Sequence, residues 1–208
     1  MNPHQVTRDF EAGLCAYTGS PYAVAVTSCT AALMLAVAWH LRDDTSATEI
    51  EIPRRTYVSV PQAIIHAGGC PTFRDEAWEG YYRLAPLPVW DSARWFTSDL
   101  WRIVQRQADT RPFVCVSFHW SKTLAIGQGG AILHDNTEAH EWFRRARFDG
   151  RTPGVAPKDD VFDFVGWHCY MSPRDAADGL SRLAVLPKHN APLPNDDYVE
   201  LDKWEVFR

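Results

Sequence analysis

The chain has 208 residues, 46% of them hydrophobic and 23% charged, which suits one packed domain with at most a short extension. Its net charge of −5 at neutral pH argues against a general attraction to nucleic acid or anionic membrane and leaves only local basic patches for such roles. Five cysteines, odd in number and without a C-x-x-C pair, argue against structural zinc and for free thiols in a reducing compartment. The start, MNPHQVTRDF, has no apolar leader, and no run is long enough to span a bilayer, so a cytoplasmic protein is expected.

In chain order, RDFEAGLCAYTG predicts an amphipathic helix, with Phe10, Leu14 and Tyr17 at helical spacing and Gly19 as its stop. YAVAVTS predicts a buried strand ending at Ser28, and CTAALMLAVAWHL a helix starting immediately after it. A strand that feeds straight into a helix N-terminus is well placed to hold an anion, because free backbone N–H groups converge there. EIEIP is a second strand, followed by a helix over about 59–67 and a short strand at CPTF. Residues 74–86, with Trp78, Tyr81 and Tyr82, read as irregular. LPVWD, FVCVSF and GGAILHD complete the strands, 137–147 and 173–186 read as helices, and the proline-rich stretch from 187 as an extended tail.

Short apolar strands alternating with helices predict a three-layer α/β fold, a mostly parallel sheet with helices on both faces. In such sheets the ligand sits at the carboxyl ends of the strands. Thr30, Asp91 and Ser117 all lie at or just past such ends. Each has an ordinary alternative: Thr30 as a helix cap, Asp91 in a turn, Ser117 as a core hydroxyl, Tyr57 as packing, Lys122 as a solvated surface lysine. His134 and His140 have no metal-ligand spacing, and no metal is expected. The arginine run at 144–147 reads as a solvated helix face or a phosphate-binding patch. Some of the nine tryptophans and ten phenylalanines are expected on a surface that pairs with another chain.

Five blocks taken together carry a resemblance: FEAGLCAYTGSPYAVAVTSCTAAL, IPRRTYVSVPQAIIHAGGCPTF, VWDSA, SFHWSKTLAIGQGGAIL and GWHCYMSPRDAADGL. In this order they resemble the DegT/DnrJ/EryC1/StrS family, fold type I enzymes that use pyridoxal phosphate and are best known as sugar aminotransferases. The resemblance runs from about Phe10 to Leu186. It implies that Lys122 forms a Schiff base with the cofactor and that Asp91 keeps the pyridine nitrogen protonated. It further implies that Thr30, the Ala31 amide and Ser117 hold the phosphate, that Tyr57 stacks on the ring, and that His168 reaches the phosphate of a neighbouring subunit in a homodimer.

The sequence also departs from the family. It is little more than half the usual length, so residues 1–186 are expected to form a reduced large domain, shortened between 75 and 86, with 187–208 as the tail. Cys29 stands where the family has glycine, Arg94 where it has glutamine, His168 where it has asparagine, and Tyr170 where it has arginine. Arg94 suggests a clamp for a substrate carboxylate, with a surface ion pair as the plain alternative, and His119 a second substrate contact. Three functions follow. The first is a pyridoxal-phosphate enzyme with aminotransferase-type chemistry on a small amino or keto substrate. The second is a decarboxylase acting on an amino acid attached to a large substrate, such as hypermodified thymine in viral DNA. The third is a non-catalytic module that binds the cofactor or a partner.

Overall fold

The computed structural model describes residues 4–43 and 48–207. Helices α1 (Gln5–Thr18), α2 (Cys29–Leu41), α3 (Ser59–His66), α4 (Leu100–Gln107), α5 (Thr137–Ala146) and α6 (Pro173–Leu183) surround strands β1 (Tyr22–Val26), β2 (Glu49–Pro53), β3 (Cys70–Arg74), β4 (Tyr82–Leu84), β5 (Val89–Asp91), β6 (Phe113–Ser117) and β7 (Gly130–His134). The main sheet has the order β1-β7-β6-β5-β4, and β2 pairs with β3 beside it. A single bridge, Glu51 to Ala85, joins β2 to the end of β4.

The strands alternate strictly between two cores. Val24, Val26, Cys115 and Ile132 pack on one face with the buried residues of α2, while Ala23, Ala25, Val114, Val116, Ala131 and Leu133 pack on the other with Phe10, Leu14, Leu100 and Ala176. With both faces covered, β1, β6 and β7 need apolar residues at nearly every position, which is why they read as unbroken hydrophobic runs. Helix α2 is buried almost all round for the same reason: it lies in the core between the sheet and α3 and α5.

The α/β class and the covered faces are as expected, but the strand directions are more mixed than the mostly parallel sheet predicted. The β5–β6 and β2–β3 ladders are parallel; β1–β7, β6–β7 and β4–β5 are antiparallel. Short connections explain this, since a parallel return needs a long crossover and the segments 118–129 and 85–88 supply none. Because β7 runs against both its neighbours, β1, β5 and β6 share one direction. Their carboxyl ends therefore share one edge of the sheet, and Gly130 begins β7 there, in register with Val26 and Ser117.

Two elements were missing from the sequence reading: β4, inside the stretch taken as irregular, and α4. Residues 187–207, expected as an extended tail, form a strap laid against the rest of the chain. Asn190 and Lys188 carbonyls accept from Trp95 Nε1 and Ser98 N–H, Leu193 N–H donates to the Arg94 carbonyl, and Leu201 and Phe207 are buried.

Candidate active site

A cavity of about 520 Å³ opens at the shared carboxyl edge. Its floor is the turn from β1 into α2. Ser28 caps α2, its hydroxyl accepting from Ala31 N–H at 3.0 Å. The Thr30 hydroxyl lies 2.7 Å from that of Ser59, at the start of α3. Two helix N-termini thus bring hydroxyls and partial positive charge to one point. The Ala31 amide itself is taken up by the cap. Gly130 backs this turn so closely that a Cβ there would lie 2.5 Å from the backbone of Ser28 and Cys29.

Asp91, the last residue of β5, is buried in the wall of the cavity. Its Oδ2 accepts from Tyr82 Oη at 2.8 Å, and its Oδ1 from Ala93 N–H at 2.8 Å. Tyr82 Oη in turn lies 2.6 Å from Thr56 Oγ1. Burial pushes the Asp91 carboxyl up, against the opposing pull of Ala93 N–H, the Tyr82 hydroxyl and Lys122, all of which favour the anion. The Cys29 thiol sits 4.0 Å from Asp91 Oδ1, and burial, then Asp91 itself, push it well above the ordinary thiol range. It is therefore a neutral filler and not a nucleophile.

Lys122 follows β6 in the loop over 118–129, its N–H donating to the His119 carbonyl. The side chain is partly buried and lines the cavity with Asp91. Burial lowers its pKa first, and the Arg94 guanidinium lowers it further, while Asp91 opposes both. A lysine so placed releases its proton more readily than one in water.

Tyr57, Arg94, Ser117 and His119 also line the cavity, so most of the residues singled out in the sequence come together. His168 does not. Its side chain is 71% exposed and pairs with Asp149 outside the cavity. The arginine run is not a patch either. Arg144 pairs with Glu141, Arg145 with Asp163, and Arg147 is buried against Glu11 and the Ala25 carbonyl. Tyr82, Ser59, Asp197 and Tyr198 are site residues that the sequence reading missed. A serine at a helix start was a usable hint for Ser59; the tail residues carried none.

The sequence model of the DegT/DnrJ/EryC1/StrS aminotransferase family matches residues 2–82 and 105–192. The chain belongs to this family. Among solved structures it is similar to PseC of Helicobacter pylori, an aminotransferase involved in the biosynthesis of pseudoaminic acid. The identity is 18% and the TM-score 0.69, over 88% of this chain and 58% of that one. It is similar to the sugar aminotransferase CalS13 of Micromonospora echinospora at 20% identity and a TM-score of 0.69, over 88% and 61%. NtdA of Bacillus subtilis, solved with bound cofactor PMP, matches at 21% and 0.67, over 87% and 48%. These likenesses show a common fold. The chain spans about three-fifths of the first two and under half of the third.

The family match skips residues 83–104, where Asp91 and Arg94 stand, so the place of both in the cavity rests on the structure alone. The family implies pyridoxal phosphate, and the residues present fit it. The cavity offers an amine of lowered pKa, a buried carboxylate held toward its anion by two donors, and hydroxyls from Thr30, Ser59 and Ser117 beside the N-terminus of α2. Among the described residues no group of three or more metal-ligating side chains occurs, and no helix is long and apolar enough to cross a membrane.

Proposed function

We propose that the protein is a pyridoxal-phosphate-dependent aminotransferase acting on a small amino or keto substrate. The observation that carries this reading is the convergence of Lys122, Asp91 and the N-terminus of α2 in one cavity. When bound, the cofactor supplies an aldehyde for amine capture and a ring that draws electrons from the bonds at the substrate's reacting carbon. Lys122 Nζ would be the covalent anchor, and the same amine would be placed to hold or move a proton at that carbon. Asp91 would hold the ring nitrogen in its protonated form. Thr30, Ser59 and Ser117 would hold the phosphate at the start of α2, and Tyr57 would pack against the ring. The strap, through Asp197 and Tyr198, narrows access of water.

We further propose a homodimer. The exposed Tyr57, Val58 and Trp120, beside or near the cavity, support an apolar partner surface there, and His168, exposed and paired with Asp149, would leave that pair to reach a partner's phosphate site. Residues 1–186 then serve as the catalytic domain and 187–208 as its strap. Free cysteines support a reducing, cytoplasmic setting. Aminotransfer is favoured over action on DNA because the arginine run is internally paired, and over a non-catalytic module because both Lys122 and Asp91 are retained.

The test is an absorbance spectrum with added pyridoxal phosphate, before and after borohydride, in wild type and Lys122→Ala. The expected result is a near-visible band in the wild type alone, with borohydride fixing the cofactor mass onto the peptide containing Lys122. An identical band in the alanine variant refutes the assignment.

A further inference from the structure

Arg94 meets two residues of the strap inside the cavity. Its Nη2 donates to Asp197 Oδ1 at 2.7 Å, and its guanidinium carbon lies 4.9 Å from the centre of the Tyr198 ring. The two members of this ion pair are held very differently. The Arg94 side chain is 14% exposed, and that of Asp197 70%. An arginine is charged at every working pH and presents a fixed planar fork. A carboxylate that is already mostly in water loses little when it swings away.

The fork is only half used. Nε and Nη2 form one edge of a guanidinium, the edge that takes a carboxylate through two parallel hydrogen bonds. Asp197 engages Nη2, while Nε of the same arginine is buried and has no hydrogen-bond partner. A carboxylate approaching squarely would satisfy both donors, which Asp197 does not. The arginine is also close enough to Lys122 to depress its basicity. A group bound at Arg94 is thus within electrostatic reach of the reacting amine.

We infer that Arg94 is the subsite for the carboxylate of an amino-acid-type substrate or amino donor, and that Asp197 occupies it in the free protein as an internal stand-in. The inference rests on the aminotransferase reading, in which an amine reacts at the cofactor anchored on Lys122. It adds a substrate class: compounds carrying a carboxylate near the reacting amine or ketone. Binding such a compound releases Asp197 and loosens the strap locally at Tyr198.

The experiment is a calorimetric titration with succinate, succinamide and inorganic phosphate on wild type, Arg94→Gln, Arg94→Lys and Asp197→Asn. Circular dichroism and melting on each variant establish that it is folded. Asp197→Asn should bind succinate more tightly, because the internal competitor is gone. Arg94→Gln should bind it about tenfold or more weakly, as expected for loss of a charge-assisted pair. Arg94→Lys should recover part of the loss, and succinamide should not respond to any variant. Equal succinate affinity in wild type and Arg94→Gln overturns the inference, as does phosphate binding more tightly than succinate. The cofactor band, recorded on the same samples, separates the two levels. A band lost in folded Arg94→Gln moves that residue to cofactor binding and also overturns the inference. A wild type with no band overturns the aminotransferase reading, while the succinate series still decides the carboxylate subsite.

Discussion

Gly130→Ala should damage both stability and the cofactor site. The added Cβ would lie 2.5 Å from the backbone nitrogen of Cys29 and from the carbonyl carbon of Ser28, and 2.7 Å from the Ser28 oxygen. Ordinary contact begins at 3.4 Å, so the β1–α2 turn or the start of β7 must give by nearly an ångström. Neither yields easily. Gly130 is paired across the sheet with Val26 on one side and Ser117 on the other, and α2 is packed into the core on most sides. Forcing extra volume into such a place costs about 1–3 kcal/mol, and for a chain of this size each kcal/mol lowers Tm by roughly 2–4 °C. The displaced turn carries Ser28 and Thr30, so affinity for pyridoxal phosphate should fall too. Gly154→Ala, outside the cavity lining, is the control: its φ of +91° is strained for alanine, but the new Cβ meets nothing within 4 Å. It should cost about 1–2 kcal/mol through backbone strain with cofactor affinity retained. Urea denaturation and a cofactor absorbance titration read the two effects. If Gly130→Ala matches wild type within about 0.5 kcal/mol and binds cofactor normally, the close approach is not what shapes the phosphate floor.

Two further outcomes are expected. β1 is an edge strand, and on its open side Ala25 donates its N–H to Glu11 and accepts from Arg147 through its carbonyl. Arg147→Met strands a buried carboxylate and should cost about 3–5 kcal/mol by urea denaturation. The double variant Glu11→Leu/Arg147→Met should not return to wild-type stability, because the Ala25 backbone groups then lose both partners; full recovery would contradict this. His134 and His40 are held down to about 3 and about 4, chiefly by burial. The folded protein keeps them neutral where the unfolded chain takes up protons. Their contribution is therefore complete above pH 6.5 and is lost as pH falls toward the folded values, by at most about 1.4 kcal/mol per pH unit for each. His134→Asn should reduce the acid slope between pH 6 and 4 by at most about 1.4 kcal/mol per pH unit, the share of one proton; an unchanged slope would assign it elsewhere.

The strands were legible where burial on both faces forced apolar runs, as in YAVAV, FVCVS and GAILH. Their directions were not, because pairing depends on connection length and on which edges remain open, and no local pattern encodes that. β4 escaped notice because three residues, with Tyr82 and Leu84 buried, are too few to display alternation. α4, Leu100–Gln107, did so because its N-cap, Asp99, lies in the left-handed region, φ 56°, and makes no side-chain cap, so no start signal marks it. The site followed the same division. Lys122, Asp91, Thr30 and Ser117 stood at strand ends or just past them, and the shared direction of β1, β5 and β6 delivers those ends to one edge. His168 fell outside the cavity because it belongs to the segment that returns past Asp149. The strap is held in part by carbonyls and N–H groups of Lys188, Asn190 and Leu193, contacts that any sequence can make, and in part by isolated side chains such as Leu201 and Phe207, too few and too widely spaced to leave a periodic trace.

That strap changes how the site's charges are read. Asp91, Lys122, Arg94 and Asp197 form a row in which two cations stand between two carboxylates, and each carboxylate opposes what burial and Arg94 do to Lys122. Burial favours neutral Asp91, and Lys122 pulls it toward the anion. Burial and Arg94 favour neutral Lys122, while Asp91 and, more weakly, Asp197 pull it toward the cation. The chain of charges ends in the one member that is mostly in water. A change at Asp197 therefore reaches Lys122 through Arg94 without disturbing the core. Withdrawing that carboxylate leaves Arg94 less compensated and makes the lysine easier to deprotonate. A ligand carboxylate taking its place restores the balance with a group that also carries the reacting centre, so the exchange costs the site little electrostatically and leaves Lys122 as readily deprotonated as before.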